Sequence, residues 1–170
     1  MANEDRRCSP SITTLALDIA KYAAEIESML ACDSRPAPTF SPDSPELPDT
    51  PQYAALRSGL VASLEDLRLL VLGPRTTMRS LIGSSNDLAA LQVAFAFGYF
   101  NIVPLEEEDG IAVEEIAQRS GMDTGRTRQI LRFLCTHRIF SEVKDGCFAH
   151  TASSAIFARD ENLVGFGQYS

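Results

Sequence analysis

The run from 111 to 157, IAVEEIAQRSGMDTGRTRQILRFLCTHRIFSEVKDGCFAHTASSAIF, leaves few folds open. Its apolar positions follow a helical period twice and then switch to alternation. Glycine at 121 permits the left-handed turn that ends a helix. Asp123 or Thr124 caps the next helix, and Asp145-Gly146 is a strong hairpin signal. The spacing predicts a helix over 114–119, a second helix after Asp123, and strands over 139–143 and 147–150. That is a winged helix-turn-helix. Such a module either lays its second helix in a DNA groove or serves as a packing and dimerisation unit.

Stepping the second helix at 100° per residue places Thr127, Ile130, Leu131, Phe133 and Leu134 on a buried arc. Arg128, Gln129, Arg132 and Thr136 fall opposite, and these are side chains that can meet phosphates and base edges. They form the candidate nucleic-acid face. Charge argues against that use. The chain carries −8 net, and residues 111–150 hold six Arg and Lys against five Asp and Glu. The acidic turn Glu106-Glu107-Glu108-Asp109-Gly110 lies at the mouth of the module, so counterion release from several phosphates is poorly served.

Upstream, Ile12, Leu15, Ile19, Tyr22, Ile26 and Met29 recur at alternating spacings of three and four. This narrow stripe predicts a helical arm over 1–32 that seeks a partner helix, either within the chain or in a second copy. Ser9 or Ser11 suits its cap and Pro10 its first turn. Six of the nine prolines then fall within 33–51, so 33–50 reads as an extended, partly disordered linker. Ser41-Pro42, Ser44-Pro45 and Thr50-Pro51 offer phosphoacceptor chemistry there, although plain linker composition explains them far better. Thr50 and Pro51 open a helix that Gly73-Pro74 ends, with a short helical stretch over 75–82 beyond. Leu88 to Phe100 is apolar on nearly every side and reads as a central buried helix. It is too short to cross a membrane. The domains expected are the arm, the linker, a helical dimerisation region over 51–105, the winged module over 106–160, and a link over 161–170.

No catalytic, cofactor-binding or metal-ligating set emerges. The four cysteines are scattered, with no C-x-x-C pair, which fits reduced thiols. His150 beside Thr151 and Ser154 lacks an orienting acid. His137 ends the second helix. Gly165-Phe166-Gly167 lacks the strand, the following helix and the acidic partner of a nucleotide loop.

The run from Val113 to Phe157 resembles the N-terminal winged-helix part of plant- and fungal-type O-methyltransferases. Glu115-Ile116-Ala117, Gly121, Ile130 to Leu134, Ile139-Phe140, Gly146 and His150-Thr151 with Ser154 stand in the places of that family's pattern. Leu72-Gly73-Pro74 and the 88–100 segment extend the resemblance to about 50–160. Val113 departs from it, since the family has Thr or Ser there as a helix cap. The resemblance implies an intertwined homodimer and one wall of a substrate pocket. It also implies a structural role for the His-Thr pair, and S-adenosylmethionine and a His general base in a Rossmann-like domain that follows. The expectation is a mainly α chain with a small β wing, the dimerisation part of a secondary-metabolism O-methyltransferase, inactive alone and cytoplasmic. A non-catalytic, methyltransferase-like co-activator in the nucleus, partnering a transcription factor, is the alternative. A DNA reader comes third.

Overall fold

The computed structural model describes residues 10–106 and 109–160. Within them the chain divides into two compact units, one of residues up to 37 plus 45–82, the other of 38–44 plus 83 onward. The link over 161–170, with Gly165-Phe166-Gly167, lies outside the described residues, as do Cys8, Ser9, Glu107 and Glu108.

In the first unit, α1 (Ile12–Cys32) is capped by Ser11, whose Oγ accepts from the Thr14 amide at 3.0 Å. Pro10 therefore sits before the cap and not in the first turn. Helix α2 (Pro51–Gly83) starts where expected, with Thr50 Oγ1 accepting from the Tyr53 amide at 3.2 Å. Gly73, at φ 70° and ψ 165°, breaks it ahead of Pro74. Beyond that kink Thr77 returns a hydroxyl to the Gly73 carbonyl at 2.9 Å.

The second unit holds the larger core. Helix α3 (Ser85–Ala96) does not continue to Phe100. Gly98 takes φ 69° and starts a four-residue helix, α4 (Tyr99–Ile102). This turn drives Tyr99 and Phe100 inward, and both are fully buried. The segment is also not enclosed on every side, since Leu88 and Phe97 stay exposed. Strand β1 (Ile111–Ala112) leads directly into α5 (Val113–Ser120), with no side-chain cap at its start. Gly121, at φ 72°, ends α5, and Asp123 caps α6 (Thr124–Thr136) by accepting from the Arg126 amide at 3.0 Å. Thr127, Leu131 and Leu134 are sealed as predicted, while Ile130 and Phe133 are half-buried.

The hairpin consists of β2 (Phe140–Lys144) and β3 (Cys147–His150), with a bulge between Glu142 and Lys144. β1 adds to its far side, giving an antiparallel sheet of order β1-β3-β2. Helix α7 (Ala152–Arg159) closes the unit. Its Phe157 meets Phe95 edge-on and Phe100 at a tilt, both at centroid distances of 5.0 Å, and Phe100 stacks on Phe140 at 5.3 Å. One aromatic cluster thus ties α3, α4, the hairpin and α7 together.

Residues 38–44 are not free linker. The Phe40 carbonyl accepts from the Ala152 amide at 2.9 Å, the Pro42 carbonyl from Arg159 Nη1 at 2.9 Å, and Asp43 pairs with Arg159 at 3.2 Å. Proline fixes the turn itself, with the Ser44 amide bonding the Ser41 carbonyl at 2.9 Å and Pro42 in the favoured second position.

Candidate functional site

The outward face of α6 is where a nucleic-acid contact would form, and its two arginines are already engaged. Arg132 grips Glu142 with two hydrogen bonds, Nε to Oε2 at 2.9 Å and Nη2 to Oε1 at 2.7 Å, and reaches Asp145 at 2.7 Å. Gly146 adds its amide to Glu142 at 2.8 Å. The Arg132 bond first, and that amide second, hold the Glu142 carboxyl below the usual range, and Glu142 in turn raises Arg132. Arg128 pairs with Glu114 at 3.0 Å. Gln129 is exposed, and Thr136 turns its hydroxyl back to the Phe133 carbonyl at 2.6 Å. The four predicted residues do share one face, but its positive charge is spent internally, tying hairpin and α5 to α6. Along that face α3 and α6 border an open groove of about 650 Å³ lined by Val93, Ile130, Phe133, Gln129 and Arg132.

The predicted arm face is split. Leu15 is buried at 4% exposure, while Ile12 is 54% exposed. Ile19, Tyr22, Ile26 and Met29 are half-buried. The Tyr22 ring lies over Gly59 of α2, so close that a β-carbon there would stand 2.6 Å from Cζ. Helical pairing inside the chain therefore uses part of the stripe.

His150 is the centre of a buried polar knot. It is 4% exposed. Nε2 lies 2.9 Å from the Val103 carbonyl, which can only accept, so Nε2 carries the proton and Nδ1 accepts from Ser154 Oγ at 2.8 Å. Burial pushes its pKa down, which favours this neutral tautomer. Thr151 and Ser154 form a capping box on α7, and Thr151 Oγ1 sits 2.7 Å from the Arg138 carbonyl and 2.9 Å from that of Ile139. Sequence reasoning missed both α7 and this box, although Thr-x-x-Ser before an apolar run is a weak form of that signal. Tyr99, also sealed, points its hydroxyl at Met122 Sδ (3.1 Å) and Thr127 Oγ1 (3.4 Å). Burial pushes the Cys135 thiol up to about 11, which removes it as a nucleophile. His137 stands exposed at the end of α6, 3.3 Å from Asp87. Among the described residues no group of three His, Cys, Asp or Glu side chains could hold a metal ion.

A methyl-donor nucleotide needs a glycine-rich turn between a strand and a helix, with an acidic residue for the ribose. Among the described residues the left-handed glycines at 73, 98, 110, 121 and 146 are breaks, helix ends and tight turns. Among the described residues two strands lead into helices, β1 into α5 through Ala112-Val113 and β3 into α7 through Thr151, and neither junction contains a glycine. These residues do not fit the cofactor.

Known proteins resemble this sequence. Residues 80–160 match the O-methyltransferase dimerisation domain. The chain is 46% identical over 159 residues to O-methyltransferase sol2 of Alternaria solani, covering 94% of this chain and 37% of that protein. It is 31% identical to a chlorophenol O-methyltransferase of Trichoderma longibrachiatum, covering 89% of this chain and 33% of the enzyme. Among solved structures, OxaC in complex with SAH and oxaline superposes with a TM-score of 0.55 at 19% identity, over 84% of this chain and 33% of that one, a likeness of fold. The chain spans about a third of the length of the curated relatives it matches. It is thus similar to fungal O-methyltransferases, and its residues 80–160 match the O-methyltransferase dimerisation domain.

Proposed function

We propose that these residues are the homodimer-forming and pocket-walling module of an S-adenosylmethionine-dependent O-methyltransferase of secondary metabolism. The dimerisation-domain match over 80–160 carries this reading, because it falls on the compact unit that packs α3 to α7 around one core. In the other unit α2 leaves Val61, Leu64, Leu70, Val71 and Met78 exposed, a supply of apolar surface that a second copy would cover. Methyl transfer is then the work of a cofactor domain beyond the described residues. The 170-residue chain supplied with S-adenosylmethionine and a phenolic acceptor should yield no methylated product. Light scattering at micromolar concentration should give a dimer that Leu70→Glu with Val71→Glu converts to a folded monomer. A monomeric parent chain, or methyl transfer by it alone, would overturn the reading.

The α6 face supports protein contact better than DNA contact, since Arg128 and Arg132 are tied to carboxylates. No mobility shift of any duplex is expected even at low salt, where electrostatic binding is strongest. A non-catalytic interaction protein, resembling the methyltransferase-like co-activators, is the second reading. A pull-down that recovers only the chain's own second copy removes it.

A further inference from the structure

Three Ser/Thr-Pro pairs lie between α1 and α2, and their hydroxyls are in different situations. Thr50 Oγ1 caps α2, accepting from the Tyr53 amide. Ser44 Oγ accepts from the Thr39 amide at 3.0 Å and is half-buried. Ser41 is exposed, and its Oγ meets only the Asp43 amide at a long 3.5 Å. Of the three it is the acceptor available to an enzyme.

Its neighbours on the chain are each held by an arginine. Arg138 lies over the Phe40 ring, 5.4 Å from its centroid, while Arg159 holds the Pro42 carbonyl and Asp43. Ser41 itself lines the same cavity of about 820 Å³ as both arginines, together with the carboxylates Asp43 and Glu106. Asp43 already occupies Arg159. Among the described residues Arg138 shares with several other arginines the lack of a carboxylate partner, and what sets it apart is its place in the cavity beside Ser41. Among the described residues its guanidinium donates to no side chain, which leaves those donors for an anion. Arg138 also holds a left-handed backbone, φ 56°, which is costly for a residue with a β-carbon.

We propose that Ser41 is a phosphorylation site for a proline-directed protein kinase, and that its phosphate is clamped by Arg138 and Arg159, locking residues 38–44 onto the dimerisation domain. In the transfer, the γ-phosphoryl group of ATP forms a bond to Ser41 Oγ as its bond to the β-phosphate oxygen breaks. The hydroxyl proton passes to the kinase's base and ADP leaves. The product carries a charge of about −2 at neutral pH, set between two guanidinium groups that a carboxylate side chain reaches on one side only.

The Ala152 amide reports the state of the strap. It is the first amide of α7, has no partner inside that helix, and bonds the Phe40 carbonyl. Two measurements on the full chain test the proposal. Incubation with a proline-directed kinase and ATP should place phosphate on Ser41, mapped by peptide mass spectrometry. With phosphoserine installed at 41 during synthesis, hydrogen exchange at the Ala152 amide should slow roughly tenfold. Arg138→Gln with Arg159→Gln should abolish that slowing while leaving the kinase step intact. Phosphate confined to Ser44 or Thr50 would overturn the assignment. Unchanged or faster exchange at Ala152, or slowing that survives in the double variant, would overturn the clamp.

Discussion

Gly110 approaches Phe148 so closely that a β-carbon on it would stand 2.8 Å from the Phe148 carbonyl oxygen, with Val143 Cγ2 at 2.9 Å on another side. Neither the carbonyl, fixed in the central strand, nor the bulged Val143 can yield easily. Gly121 has nearly the same φ, 72° against 70°, and open space around it. Gly121→Ala should therefore cost only the left-handed backbone penalty, about 1 kcal/mol. Gly110→Ala should cost that plus steric displacement, roughly 2–4 kcal/mol. Urea unfolding of both variants distinguishes them, and equal losses would contradict the close approach.

His150 should produce an acid limb in stability. Its folded pKa lies below the unfolded value of about 6.5, so the unfolded chain binds more protons in that window. Stability is then full above pH 6.5 and declines as pH falls from there toward the folded pKa. Carboxylates such as Glu142 and Asp109, whose pKa values are lowered by Arg132 and Lys144, add their own losses only at lower pH. Thermal melts between pH 7.5 and 5 should show the decline, and His150→Asn should flatten it.

Removing the hydroxyl in Thr151→Ala deletes an α7 cap and leaves the Arg138 and Ile139 carbonyls short of a donor. The expected loss is roughly 2–3 kcal/mol. Thr151→Ser keeps the oxygen and should recover most of it. If serine and alanine prove equally damaging in chemical denaturation, the hydroxyl is not what matters.

The Arg132–Glu142 pair is bidentate but half in water, so its worth is small. A double-mutant cycle with Arg132→Ala and Glu142→Ala should give a small favourable coupling at low salt, fading as salt is added. Coupling indistinguishable from zero at low salt would mean that the hairpin is not tied to α6 by charge.

Period and turn chemistry made α5, α6 and the hairpin legible, because Gly121, Asp123 and Gly146 punctuate them with local signals. The buried arc of Thr127, Leu131 and Leu134 followed from the same period. β1 was not legible: two residues have no pattern of their own, and their partner β3 lies some 35 residues downstream in register Ile111 to Phe148. The break at Gly98 was hidden because the residues on either side are uniformly apolar, leaving no period to interrupt. The docking of 38–44 was hidden for a third reason. It rests on backbone carbonyls, which every residue has, and on two arginines about a hundred residues away. Composition alone reads that stretch as unable to order itself, and it does not; α7 orders it.

The sheet order β1-β3-β2 has a consequence for how the domain opens. β3 is hydrogen-bonded on both edges, and the Gly146 carbonyl at the hairpin tip receives the Val113 amide at 2.8 Å, satisfying the first turn of a helix that has no side-chain cap. Peeling the hairpin away would strip α5 of its start and β1 of its only neighbour. Strands and helix should thus melt as one cooperative unit, and β3 amides should exchange with solvent only when the whole domain unfolds. A hairpin anchored in this way can open only by breaking the start of α5 along with it.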